Sequence, residues 1–179
     1  MTDLELFNLA LSQFDKQLAQ SDLDATSPAK EVRLCRQFLP MAKRKAMREF
    51  DWSFLLVKID VDLADDDGGG HGFSHGYLLP TNLLKLVHAS YDLPYLVTGG
   101  RLYTDAENPT VYGVMQDMPL LGVPEDFYEL IAYALAFQIA SMLAPEGKTD
   151  QAVLQKYTWA LNGLISAECH NNRQERRDE

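Results

Sequence analysis

Two imidazoles lie close together in the segment HGFSH, residues 71–75, with three aspartates just before them at 65–67. On a helix, a four-residue spacing puts two histidines on one face and suits a metal ion. Here His71 and His75 follow a run of three glycines, so no helical scaffold sets their spacing. The aspartates also lack the alternate spacing and closing glutamate of a calcium loop. Residues 65–76 therefore read as a solvated, glycine-rich excursion, and no metal or other cofactor is expected.

The other chemical candidates reduce to simpler readings. Asp60 and Asp62 share one side of an alternating segment. Paired carboxylates serve in hydrolysis, but acids on the wet side of a strand give the same pattern. GLISAE, residues 163–168, lacks the second glycine of a nucleophile elbow and falls inside a helical stretch. Gly99-Gly100-Arg101 is too short for a dinucleotide fingerprint, and no GxxxxGK[ST] phosphate loop is present. Cys35 and Cys169 form no CxxC pattern and read as reduced thiols. Cys35 with the distant His170 has no support as a catalytic pair, and a buried structural cysteine is the plainer reading. The chain is expected not to be an enzyme. Trp52, Phe54, Tyr128, Tyr133, Tyr157 and Trp159 are core or interface anchors, with core the default for the helical ones. Trp52, at a helix-to-strand junction, is expected to seal the helices against the β part.

The elements that carry these residues follow from pattern. The 179 residues suffice for one ordinary domain or two small ones, and 46% of them are hydrophobic against 23% charged, which excludes wholesale disorder. A chain this long buries about 70% of its unfolded surface without metal or disulfide. No apolar run is long enough to span a bilayer, and the start MTDLELFNLALSQFDKQ carries acids where a secretory signal carries bases. The net charge of -10 is unevenly spread. Residues 28–50 hold seven bases and two acids, while residues 59–147 hold two bases and 13 acids. Opposed patches of this kind can steer one copy of a protein onto another. The acidic total disfavours general affinity for nucleic acid.

Residues 3–19 read as a helix whose stripe is Leu4, Phe7, Leu11, Phe14 and Leu18. Residues 20–27 read as a loop. Ser27 and Pro28 open a second helix running to about Phe50, with Cys35, Phe38, Leu39, Ala42 and Ala46 on one side and the bases on the other. Pro40, on the wet face, predicts a bend near residues 36–40 or two helices in series. Residues 53–63 alternate from Leu55 and read as a strand. Segments 77–80, 83–89, 93–98, 101–103 and 111–115 follow as short strands, predicted antiparallel. A third helix begins at Pro124 and is apolar on nearly every side from Leu130 to Ala144, so it is central or covered by a second subunit. A last helix, from about Thr149 to Asn171, carries Val153, Tyr157, Ala160, Leu161, Leu164 and Glu168 along one stripe, ahead of a tail expected to fray. The predicted fold is α+β and mainly α. Residues 1–53 and 119–179 make a four-helix bundle, and a small antiparallel β region, 54–118, is inserted between its second and third helices.

Several segments have a familiar order. Arg48-Glu49-Phe50-Asp51-Trp52-Ser53-Phe54 looks like a "W-S/N-F" junction, and residues 76–84, GYLLPTNLL, look like a "Y-x-L-P-x-N/D-x-L" segment. Residues 99–103, GGRLY, are similar to a "G-x-x-L-Y/F" turn, and residues 121–127, LGVPEDF, lead into the third helix. Over roughly residues 3–172 this ordered set resembles the tail tubular, or gatekeeper, proteins of short-tailed bacteriophages, within the wider group of phage head–tail connector adaptors. The chain is shorter than the best-known members, and its DDDGGGHG loop has no counterpart in them.

The resemblance implies a structural virion protein at the head–tail junction, found in the host cytoplasm during assembly. It implies a ring of about twelve copies beneath the portal protein, with a tail nozzle or other tail component below. Duplex DNA would pass through the centre without sequence-specific binding, and no membrane would be involved. The alternative is a non-viral helical scaffold or protein-interaction module without catalysis. The candidate contact residues are Arg33, Arg36, Arg44, Arg48, Trp52, Tyr77, Arg101, Tyr103, Tyr133 and Phe137. An apolar third helix agrees with subunits covered on two flanks, and the β region and glycine loop are candidates for reordering on assembly.

Overall fold

The computed structural model describes residues 1–64, 71–89, 93–120, 122–144 and 148–178, with 148–150 and 171–178 as backbone only. Among these residues the chain forms five α-helices and two small antiparallel sheets, so the expected simple four-helix bundle is incorrect. It divides into a helical unit, Met1–Phe50 with Gly122–Glu179, and a β unit, Asp51–Leu121.

In the helical unit, Thr2 starts α1 (Asp3–Leu11) with a capping box shared with Glu5. The helix ends at Leu11, eight residues before its expected end at residue 19. The Ser12 hydroxyl turns back to the Leu9 carbonyl, Ser12–Phe14 tighten into a 3₁₀ turn, and Asp15 takes φ +54°. The Asn8 side chain then holds Leu18 at both ends of its peptide, donating to its carbonyl at 3.0 Å and accepting from its N–H at 2.7 Å. Leu18 thus stays in register with α1 without being helical. The segment expected to be a loop holds α2 (Gln20–Asp24), opened by the Asp22 carboxylate accepting from the Ala19 N–H at 2.7 Å.

The second long helix, α3 (Lys30–Arg48), runs unbroken through Pro40. Pro40 removes the bond to the Arg36 carbonyl, but it lies on the exposed face, away from the buried side of the helix. The opposite face of α3 buries Val32, Cys35, Leu39, Ala42 and Ala46. Pro124 precedes α4 (Glu125–Leu143), and Glu125 and Asp126 complement the positive end of its dipole. α4 packs against α1, α3 and α5 (Lys148–Asp178), and this explains its all-round apolar character. Covering by its own chain leaves only Phe137 among its large side chains 37% exposed. Val153, Tyr157, Ala160, Leu164 and Glu168 form the buried stripe of α5, and its backbone stays helical through the tail expected to fray.

In the β unit, the segment expected to be one strand is three pieces. Ser53–Leu55 form a 3₁₀ turn, β1 (Val57–Ile59) joins one sheet and β2 (Asp62–Leu63) the other. Inside-outside alternation survives the corner at Asp60 and Val61, so periodicity does not reveal it. β3 is His75–Leu78, β4 Leu83–Ala89, β5 Tyr95–Thr98, β6 Arg101–Thr104 and β7 Val111–Met115. The sheet orders are β1-β7-β4 and β2-β3-β6-β5, and every pairing is antiparallel. Gly99 and Gly100, at φ +59° and +75°, make the two-residue β5–β6 turn. Ile59, Tyr77, Ala89, Leu102 and Val111, drawn from both sheets, form the core of this unit.

Candidate functional site

The contact candidates fall into three environments. Arg33, Arg36 and Arg48 are exposed on α3 and Arg44 is half-buried beside them. The Arg36 guanidinium donates to the Leu23 carbonyl at 2.8 Å, which fixes one end of the basic face. Trp52, Tyr77 and Tyr103 are buried. Trp52 stacks on Phe54 at 5.7 Å. The Tyr77 hydroxyl donates to the Ala106 carbonyl at 2.8 Å and also reaches the Glu107 carbonyl, and burial pushes its pKa up. Tyr103 carries the ring of His71 at 4.3 Å, and Arg101 is half-buried on the same strand.

Tyr133 and Phe137 are half-buried and 37% exposed on α4. Phe137 and Tyr157 share the ammonium of Lys45, at 5.3 and 4.5 Å from their ring centres. The Tyr157 hydroxyl donates to Glu49 at 2.5 Å. Burial and this bond together push the Tyr157 pKa far up. The cluster ties the end of α3 to α5 by a cation and a buried hydroxyl, and it is occupied by its own members.

The histidine segment is also internally engaged. The Ser74 N–H and hydroxyl both donate to Asp105 Oδ1 at 2.9 Å, and His75 opens β3. Asp65, Asp66 and Asp67 lie outside the described residues. Among the described residues no three His, Cys, Asp or Glu side chains gather as metal ligands. Asp60 and Asp62 are exposed, and GLISAE lies within α5. Cys35 and Cys169 are both free thiols. Burial in α3, with Glu31 nearby, raises the Cys35 pKa to about 12, so its nucleophilic thiolate is scarce.

Among the described residues, the most exposed large apolar side chain lies elsewhere. Trp159 on α5 is 76% exposed, contrary to the core expectation for a helical tryptophan, and Leu154, five residues earlier, is 44% exposed. On one side of Trp159 is a groove of about 290 Å³ lined by Asp126, Glu129, Ala160, Gly163 and Leu164. On the other is a shallower hollow lined by Gln151, Leu154, Gln155, Thr158 and Asn162. The sequence does carry a signal for this. Trp159 is two residues past Tyr157, about 200° around a helix, and so falls outside the apolar stripe.

The β unit exposes a second apolar region. Tyr95, Leu96 and Val97 of β5, an edge strand, are exposed with Leu78 and Leu93. A cleft of about 520 Å³ runs beside them between Leu78–Pro80, Leu83–Leu86 and Val97. No protein-family model and no curated protein matches the chain.

Proposed function

We propose that this protein works by holding other proteins, as a non-catalytic interaction module, and that its particular role is that of a head–tail adaptor in a bacteriophage particle. Trp159 carries the first part. A tryptophan 76% in water on a long helix, with a groove on each side, has the form of an interface anchor. The open apolar edge at β5 adds a second contact region of the kind proteins usually guard.

The ordered segments from Arg48 to Phe127 support the narrower role, and the net charge of -10 suits a protein that lines a DNA channel without gripping the duplex. In this reading, portal and tail components are the partners and copies of the chain are neighbours around a ring. Co-sedimentation of the purified protein with assembled portal rings encoded in the same genome tests it. Retention on the rings at a fixed stoichiometry is expected. Rings that leave the protein in the supernatant would remove the adaptor role. A protein whose exposed Trp159 and β5 edge bind no partner at all would remove the interaction reading.

A further inference from the structure

Within the helical unit α4 packs against α3 and also against α5, so α3 and α5 lie along two flanks of one central helix. Their outward faces differ in chemistry. The α5 flank presents Trp159 and Leu154, and beside Trp159 stand Asp126 and Glu129. Neither acid has an ion-pair partner among the described residues. The α3 flank presents Arg33, Arg36 and Arg44, and Met41, 46% exposed, lies among them. Arg33 and Arg44 likewise have no ion-pair partner among the described residues.

We propose that the Trp159 groove receives the basic face of α3 from a second copy of this chain. The occupant follows from complementarity. A guanidinium stacks on an indole and pairs with carboxylates at its rim, and a methionine thioether packs against an aromatic edge. The second copy supplies all of these from one face. Gly163 is consistent with a groove kept open. It interrupts the interior of a helix, where glycine is unfavourable, and a Cβ there would meet nothing within 4 Å.

Because donor and acceptor faces differ, the contact is head-to-tail, and a joined pair keeps one unused face of each kind for further copies. The inference rests on the interaction-module reading and specifies one partner for it.

The two tryptophans make the test optical. Trp52 is fully buried and Trp159 is in water, so contact at the groove moves only the Trp159 emission to the blue. The expected result is a concentration-dependent blue shift, with growth in sedimentation coefficient, up to the millimolar range, and weakened by salt. D126K/E129K and R33E/R44E should each abolish both signals alone. Mixed together they should restore them, because the reversed charges then face each other. Circular dichroism equal to wild type would confirm that both variants are folded.

A wild-type protein that stays monomeric at every concentration with unchanged emission overturns the inference. So does association that survives both reversals, or a mixture that fails to recover. Portal rings that retain a wild-type protein showing no self-association would leave the adaptor reading standing while Trp159 loses this role. Self-association without portal retention would do the opposite.

Discussion

Gly113 sits in β7, the middle strand of its sheet, where the backbone of β4 comes too close for a side chain. A Cβ at this position would stand 2.5 Å from the Lys85 carbonyl oxygen and 2.8 Å from Ile59 Cδ1. The first obstacle is backbone, so no rotamer change relieves it. β7 would have to draw away from β4 by roughly 0.5–1 Å to restore ordinary contact, disturbing the Lys85↔Val114 and Leu86↔Gly113 register. Overpacking of this kind costs about 3 kcal/mol, enough to lower the folded-to-unfolded ratio roughly a hundredfold. Gly163 supplies the control. It is helical with open space around it, so Gly163→Ala should gain about 1 kcal/mol. The same chemical change should therefore act with opposite sign at the two sites. Urea unfolding measures it, with Trp52 fluorescence in a Trp159→Phe background reporting the β unit and circular dichroism the helices. Gly113→Ala within about 0.5 kcal/mol of wild type, or a loss at Gly163, would refute the reasoning.

Three further outcomes are expected. In the native protein a disulfide reagent should titrate Cys169 quickly and Cys35 only after urea is added, since Cys169 is exposed while Cys35 is buried with its pKa raised to about 12. Two equally fast thiols would contradict this. Asn8→Ala should cost about 1–2 kcal/mol in thermal or urea unfolding, because it releases both hydrogen bonds that hold Leu18 against α1. Stability should fall as pH rises above about 10. Tyr157 stays protonated in the folded state while the unfolded chain ionises near its ordinary value, so the contribution is intact below that pH and lost above it. Tyr157→Phe should flatten this alkaline slope, with Tyr77 and Tyr133, also shifted upward by burial, supplying what remains.

The long helices α3 and α4 were legible because their signals are redundant. Proline and acids mark the α4 start, and apolar periodicity runs for several turns in α3. α2 was not legible, because five residues are too few to show a period. α1 was over-extended because Phe14 and Leu18 continue its stripe in sequence although a 3₁₀ turn and the Asn8 side chain place them. The 53–63 run reads as one strand because alternation does not record a change of sheet. At the surface, the basic face of α3 was visible in composition. Trp159 was hidden by a default that assigns helical aromatics to the core, although its offset from the α5 stripe pointed outward. The acids that share its groove lie 30 and 33 residues away on α4, and only packing brings them together.

The pairing of β1 with β7 has a consequence for how this chain can change over generations. The β unit begins at Asp51 and ends at Leu121, and its first and last strands run antiparallel side by side, Val57 opposite Gly113. The chain therefore enters and leaves this sheet along two paired strands, as in domains that tolerate being spliced into a host. The β unit is laid out as a cassette: recombination at residues 51 and 121 could exchange it for another entered and left along paired strands while leaving the helical sequence on either side intact.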